Sequence, residues 1–229
     1  IGYTQRGCRL KCSFCGARFE GKVRPEQGIR TLYRGEPWPR NLHILDNDFF
    51  GQENWRDLIG EIREGGFRVC FNQGINVRFL TSETAEAIAS VHYSDDDFKR
   101  KRIYTAWDNR KDSERVFRGL KLLLSHGVKP DEIMVYVLIG YDHDAEEGRG
   151  VLVEDDFYRW QELRALGCRP YPMPFVRTKQ TVGFQRWIVG AYDKRISWQD
   201  WEAAHYRPER LGLSERGLLE ASFEDSLLQ

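Results

Sequence analysis

The chain has 229 residues, and its 35 Lys and Arg balance 35 Asp and Glu, so a formal net charge of zero gives no overall pull toward nucleic acid or a membrane surface. Hydrophobic residues make up 41% of it, enough for a packed core, and 13% aromatic residues argue against disorder. No apolar run approaches the ~20 residues that span a bilayer, and Ile1-Gly2-Tyr3 lacks the basic-then-apolar pattern of a secretory signal. The length suits one domain. With no initiator Met, the chain is expected to come from a longer one, with residues upstream of Ile1.

The elements alternate strand and helix. Ile1 to Thr4 is expected as a short strand, followed by a loop rich in Cys and Gly. Pro25 to Tyr33 reads as a short helix with Pro in its first turn. Asn41 to Asp46 is an apolar strand, and Asn54 to Glu64 a helix stopped by Gly65-Gly66. Phe67 to Asn72 is the next strand, and Ser82 to Val91 a helix with Thr81 as N-cap. The charge-dense run Ser94 to Arg102 reads as a solvated loop or, alternatively, as a nucleic-acid patch.

Ile103 to Ala106 is a strand. Asp112 is expected to cap a helix that buries Val116, Leu120, Leu123 and Leu124 on one face. Glu132 to Ile139 is nearly all apolar, as in a parallel sheet covered on both faces. Asp155 to Leu166 has helical spacing of Phe157, Trp160 and Leu163, and Arg169 to Val176 is a proline-marked strand at an edge or rim. The tail from about Thr181 is Trp-rich and helical. Six strands alternating with helices predict an α/β fold with a parallel sheet, either open or curled into a partial barrel.

Three of the five cysteines fall within eight residues, in Gly7-Cys8-Arg9-Leu10-Lys11-Cys12-Ser13-Phe14-Cys15-Gly16. This tight cluster points to a reducing, cytoplasmic setting and a metal and not to a disulfide framework. Thiolates spaced C-x3-C-x2-C can take three corners of one iron–sulfur cube. Zinc normally wants a fourth ligand, often from a second C-x2-C pair, and the chain has none. Cys70 and Cys168 read as buried hydrophobes.

With Phe14 as the aromatic residue, the motif is C-x3-C-x-aromatic-C, and it resembles that of the radical S-adenosylmethionine (SAM) superfamily. The resemblance covers roughly residues 1 to 176. It implies a partial (β/α)6 TIM-type barrel over 1–176 with a C-terminal helical extension over 177–229. It also implies a [4Fe–4S] cluster on Cys8, Cys12 and Cys15, whose free iron chelates SAM, and an electron donor such as flavodoxin or ferredoxin. The activity implied is reductive cleavage of SAM to a 5′-deoxyadenosyl radical that abstracts hydrogen from a substrate. The alternative is an iron–sulfur redox or regulatory module that does not turn over SAM.

In such barrels ligands sit on the loops after the strands, so the resemblance places SAM contacts there. After the second strand, Asp46-Asn47-Asp48 stands where the family usually has a Gly-Gly-Glu-like stretch for the SAM ammonium; the bland reading is a polar turn. After the third come Gln73, Asn76 and Arg78, the last facing either the SAM carboxylate or the surface. Asp108 or Asn109 after the fourth suits the ribose, and Asp108 also suits a simple turn. Ile139-Gly140 after the fifth would pack on adenine, with Met173 and Phe175 of the sixth closing that pocket or joining the core. The substrate itself is not legible: a nucleoside, a nucleic acid or a peptide all fit a tail in which Trp187, Trp198, Trp201 and Tyr206 alternate with Arg186, Lys194 and Arg207. The same tail reads as an amphipathic cap over the barrel mouth.

Overall fold

The structure, a computed structural model, describes residues 1–15 and 22–206, with Tyr206 described by its backbone alone. The strand expected over Ile1 to Thr4 is reduced to one parallel bridge between Gly2 and Ile44. Strand β1 (Gln5–Gly7) instead pairs antiparallel with β2 (Val23–Pro25). This ribbon also takes the residues expected to open the first helix: Pro25 closes β2 and the Glu26 amide donates to the Thr4 carbonyl. Helix α1 is therefore confined to Ile29–Leu32.

Strand β3 (Asn41–Ile44) leads through α2 (Trp55–Glu64) to β4 (Arg68–Phe71). The two strands pair in parallel, Asn41 opposite Arg68 and Ile44 opposite Phe71. Helix α2 buries Trp55, Leu58, Ile59 and Ile62, the three-and-four spacing of one helical face. Helix α3 (Ser82–Ser90) starts at Thr81, whose hydroxyl takes the Thr84 amide in a reciprocal capping box. A two-residue strand not expected from the sequence, β5 (His92–Tyr93), pairs in parallel with β4. The charged run that follows is a loop, folded round the Asp95 carboxylate, which accepts the Lys99 amide at 2.8 Å and the Arg100 amide at 3.2 Å.

Strand β6 (Ile103–Ala106) precedes α4 (Ser113–Ser125), which buries Val116, Leu120 and Leu123. Asp112 occupies the N-cap position but makes no capping bond, because its carboxylate is held by the Arg78 guanidinium at 2.9 Å. Strand β7 (Ile133–Ile139) is parallel to β6. It alternates buried and half-buried residues and so departs from the expected cover on both faces: Met134, Tyr136 and Leu138 stay partly open. The hairpin β8 (Tyr141–Asp142) and β9 (Glu147–Gly148), helix α5 (Glu154–Ala165), strand β10 (Arg169–Pro174) and helices α6 (Lys179–Val189) and α7 (Trp198–Tyr206) complete the described chain.

The architecture is mixed α/β with parallel pairing. Two three-stranded sheets have the orders β3-β4-β5 and β10-β7-β6, and no closed barrel is formed among the described residues. The chain leaving β4 is tied to β6 by the Ile75 amide, which donates to the Tyr104 carbonyl at 2.7 Å.

By its contacts the chain divides into two compact units, Ile1–Val137 with Tyr158–Pro170, and Leu138–Phe157 with Tyr171–Gln229. The first has an aliphatic core, with Leu42, Val69, Ile103 and Val135 fully buried on its strands. The second is held by aromatic rings: Phe184 lies 5.0 Å from Phe157, 5.6 Å from Trp187 and 5.2 Å from Trp198, centroid to centroid. Each such pair adds roughly 0.5–1.5 kcal/mol beyond its buried area. Arg207 and the rest of the expected helical tail lie outside the described residues. No described helix is long and apolar enough to cross a membrane.

Candidate functional site

The cysteine loop is set in place by what precedes it. Gly7 has φ of +102°, and a Cβ there would overlap the carbonyl oxygen of Lys22, the residue before β2. Only glycine suits both conditions, so β1 turns sharply into Cys8. Upstream, the amides of Thr4 and Gln5 donate to Asp46 Oδ1 at 2.7 and 3.2 Å, and the Thr4 hydroxyl donates to Oδ2. Burial pushes the Asp46 carboxyl above its ordinary range, against the pull of the Thr4 hydrogen bonds.

Downstream of Cys8, the Arg9 amide and guanidinium all reach Asp48: Nε to Oδ2 at 2.6 Å and a terminal nitrogen to Oδ1 at 2.9 Å. Asp46 and Asp48 were expected to face a ligand. Both are instead buried and spent on anchoring the cysteine loop, one on each side of Cys8. The residue between them, Asn47, is the one that reaches the cleft.

That cleft, about 580 Å³, lies within the first unit. Cys8, Cys12 and Cys15 line it together with Asn47 from the end of β3, Gln73, Asn76 and Arg78 from the end of β4, and Asp108 from the end of β6. The chain following three strands, β3, β4 and β6, thus brings polar side chains to the cleft that the thiols line. Five of the expected ligand-facing residues converge there.

Among the further lining residues that sequence reasoning missed, two carry polar side chains, Lys11 and Thr105. Thr105 is 2% exposed, and its hydroxyl has no hydrogen-bond partner among the described residues. A buried hydroxyl left unpaired costs ~1–3 kcal/mol. In the sequence Thr105 is one β-branched residue in Ile103-Tyr104-Thr105-Ala106, which strand propensity alone explains. Only its position at the strand's end could have flagged it.

Other expected residues are elsewhere. Asn109 caps the turn Arg110–Asp112, accepting the Lys111 amide at 2.8 Å. Phe14 is half-buried in the cysteine loop and does not line the cleft. Ile139, Gly140 and Met173 belong to the second unit. There Ile139 is buried, the Gly140 amide donates to Asp156 at 3.2 Å, and Met173 is 44% exposed, as is Phe175, so neither joins the core.

All five thiols are free. Burial raises the Cys8 and Cys12 thiols, offset at Cys8 by the Leu10 amide, which donates to its sulfur at 3.4 Å, and at Cys12 by Arg78. Cys70 and Cys168 are buried away from the cleft, and burial pushes them up to about 12 and about 11. Among the described residues no three His, Cys, Asp or Glu side chains converge as they would round a single metal ion. A cube of iron and sulfur takes each thiolate at a separate corner and holds them wider apart than one ion does. Three cysteine sulfurs lining one cleft are soft donors of the kind such a cluster takes. Set against family models, curated proteins and solved structures, the chain matches none.

Proposed function

We propose that this protein is a radical SAM enzyme: Cys8, Cys12 and Cys15 hold a [4Fe–4S] cluster, and the cleft beside them takes S-adenosylmethionine. The observation that carries this reading is the convergence of all three thiols with the polar ends of β3, β4 and β6 on one cleft. When bound, such a cluster supplies the single electron that cleaves SAM to methionine and a 5′-deoxyadenosyl radical for hydrogen abstraction.

The chain's own residues would then have the following parts. The three thiolates would hold three irons of the cluster. Asn47, Gln73, Asn76 and Asp108 offer amide and carboxylate groups to the same cleft, which can orient a zwitterionic and hydroxylated cosubstrate. The volume of about 580 Å³ falls in the range of small-molecule sites and is ample for a nucleoside-sized ligand. Asp46 and Asp48 act at one remove, fixing the loop that carries Cys8.

The parallel pairing of β3 with β4 and of β6 with β7 supports a partial (β/α)6 barrel as the fold behind this site. So does the chain-order succession from the Gly2 bridge through β3, β4, β6, β7 and β10. We infer a nucleoside, nucleic acid or peptide as the substrate class and a small electron-transfer protein as the reductant.

The test is iron content after anaerobic reconstitution. Wild-type protein should bind about four irons per chain. Cys12→Ala should lose most of them and Cys168→Ala should keep them. Equal retention in both variants removes the cluster from this loop.

A further inference from the structure

The segment that brings Asp108 to the cleft is held at each of its carbonyl oxygens by a side chain. Strand β6 ends at Ala106, and the Trp107 amide still donates to the Tyr136 carbonyl at 2.8 Å, continuing the pairing with β7. Arg159, on the part of α5 that belongs to the first unit, then donates from one terminal nitrogen to the Trp107 carbonyl at 3.0 Å and to the Asp108 carbonyl. The Trp107 indole donates to the Asn109 carbonyl at 2.9 Å. Its ring is buried and meets Phe117 of α4 and Tyr158 of α5 edge-on, at 5.1 and 6.0 Å between centroids. With three successive carbonyls fixed, the direction in which the Asp108 side chain leaves the backbone is fixed too.

Arg159 is 2% exposed, and taking a guanidinium out of water costs far more than burying an apolar group. Packing alone does not call for it: Leu163, one turn further along the same helix, is fully buried with an aliphatic side chain. What Arg159 adds is a long donor that reaches the backbone where β6 ends, and so sets torsions that packing leaves loose. We propose that Arg159 is a positioning residue for the cosubstrate, holding the end of β6 so that the Asp108 carboxylate stands ready in the cleft to accept hydrogen bonds from SAM. This rests on the reading of the cleft as the SAM site. A carboxylate on a loose turn would have to be ordered as SAM binds, and that ordering would weaken binding; one already held in place avoids the cost.

The experiment is the affinity of iron-loaded protein for SAM, measured by anaerobic equilibrium dialysis with iron content followed beside it. Asp108→Ala and Arg159→Met should each weaken SAM binding about tenfold, the loss expected for one hydrogen bond to a charged group. Iron content should stay at the wild-type level in both. Because Arg159 acts through Asp108, the double variant should also lose about tenfold, where independent losses would multiply to roughly a hundredfold. Arg159→Lys brings an ammonium nearly to the same oxygens and should recover part of the affinity. Leu163→Ala opens a cavity beside the same helix and should lower stability while leaving SAM affinity at the wild-type level. Where Arg159→Met does not fold, Arg159→Lys decides, its smaller loss again vanishing in the Asp108→Ala background. Wild-type affinity in the decisive Arg159 variant, multiplied losses in the double variant, or an equal loss in Leu163→Ala overturns the assignment. Iron-loaded wild-type protein that binds no SAM would instead overturn the reading of the cleft itself.

Discussion

Gly119 of α4 lies directly against Val77: a Cβ added to Gly119 would overlap the Val77 backbone oxygen. The helix thereby presses on the turn that carries Asn76 and Arg78 into the cleft. A feature of helix packing, remote from the cysteines in sequence, thus sets where two lining side chains stand.

Gly119→Ala should therefore destabilise the protein although alanine is the better helix former. Overpacking against backbone typically costs ~1–3 kcal/mol. Gly60, in the interior of α2, faces open space, and Gly60→Ala should be neutral or stabilising by up to ~1 kcal/mol. Urea denaturation of the two variants compares them directly. Equal stabilities would mean that α4 does not press on Val77.

Asp46→Ala should cost ~1–3 kcal/mol, because it leaves two buried amides and a hydroxyl without their acceptor. Since those groups belong to Thr4 and Gln5, iron uptake should fall with stability. Asn47→Ala, at a position that touches the cleft and not the anchor, should leave stability unchanged. The reverse ranking in a denaturation series would return Asp46 to a ligand-facing role.

The thiols should separate by pH. Cys70 at about 12 and Cys168 at about 11 carry very little thiolate at pH 8, on the order of one part in a thousand or less. Native, iron-free protein should then show three thiols reactive toward a disulfide reagent at pH 8, with two more appearing on unfolding. The sign for stability follows from the raised values. The folded state favours these two thiols neutral below their ordinary value near 9.0, and that contribution is lost as pH rises toward 11 and 12. Stability should decline across that interval, and Cys168→Ala should remove part of the decline. Five thiols reacting alike in the native protein would contradict the burial of Cys70 and Cys168.

How much the sequence discloses follows from the kind of physics involved. The helices Trp55–Glu64 and Ser82–Ser90 were legible because their periodicity and the Thr81 cap are local signals, and strands β3, β4, β6 and β7 because apolar runs end in turn residues. The β1–β2 ribbon was not, since it pairs residues on either side of the cysteine loop and neither strand has alternation long enough to read. Asn47 and Asp48 are neighbours of similar polarity, yet one enters the cleft and the other binds Arg9. That choice depends on a partner 39 positions away, which spacing cannot reveal. Asp112 misleads for the same reason, because it looks like a cap and serves as the partner of Arg78. Thr105 was hidden by its own strand propensity.

Adding SAM and dithionite to anaerobically reconstituted protein and measuring 5′-deoxyadenosine decides whether the protein turns over SAM. 5′-Deoxyadenosine should be released at a rate well above that of protein without iron, and Cys12→Ala should lose that release. An intact cluster that takes up electrons yet yields no 5′-deoxyadenosine above the iron-free control would contradict it and leave an iron–sulfur module that does not turn over SAM.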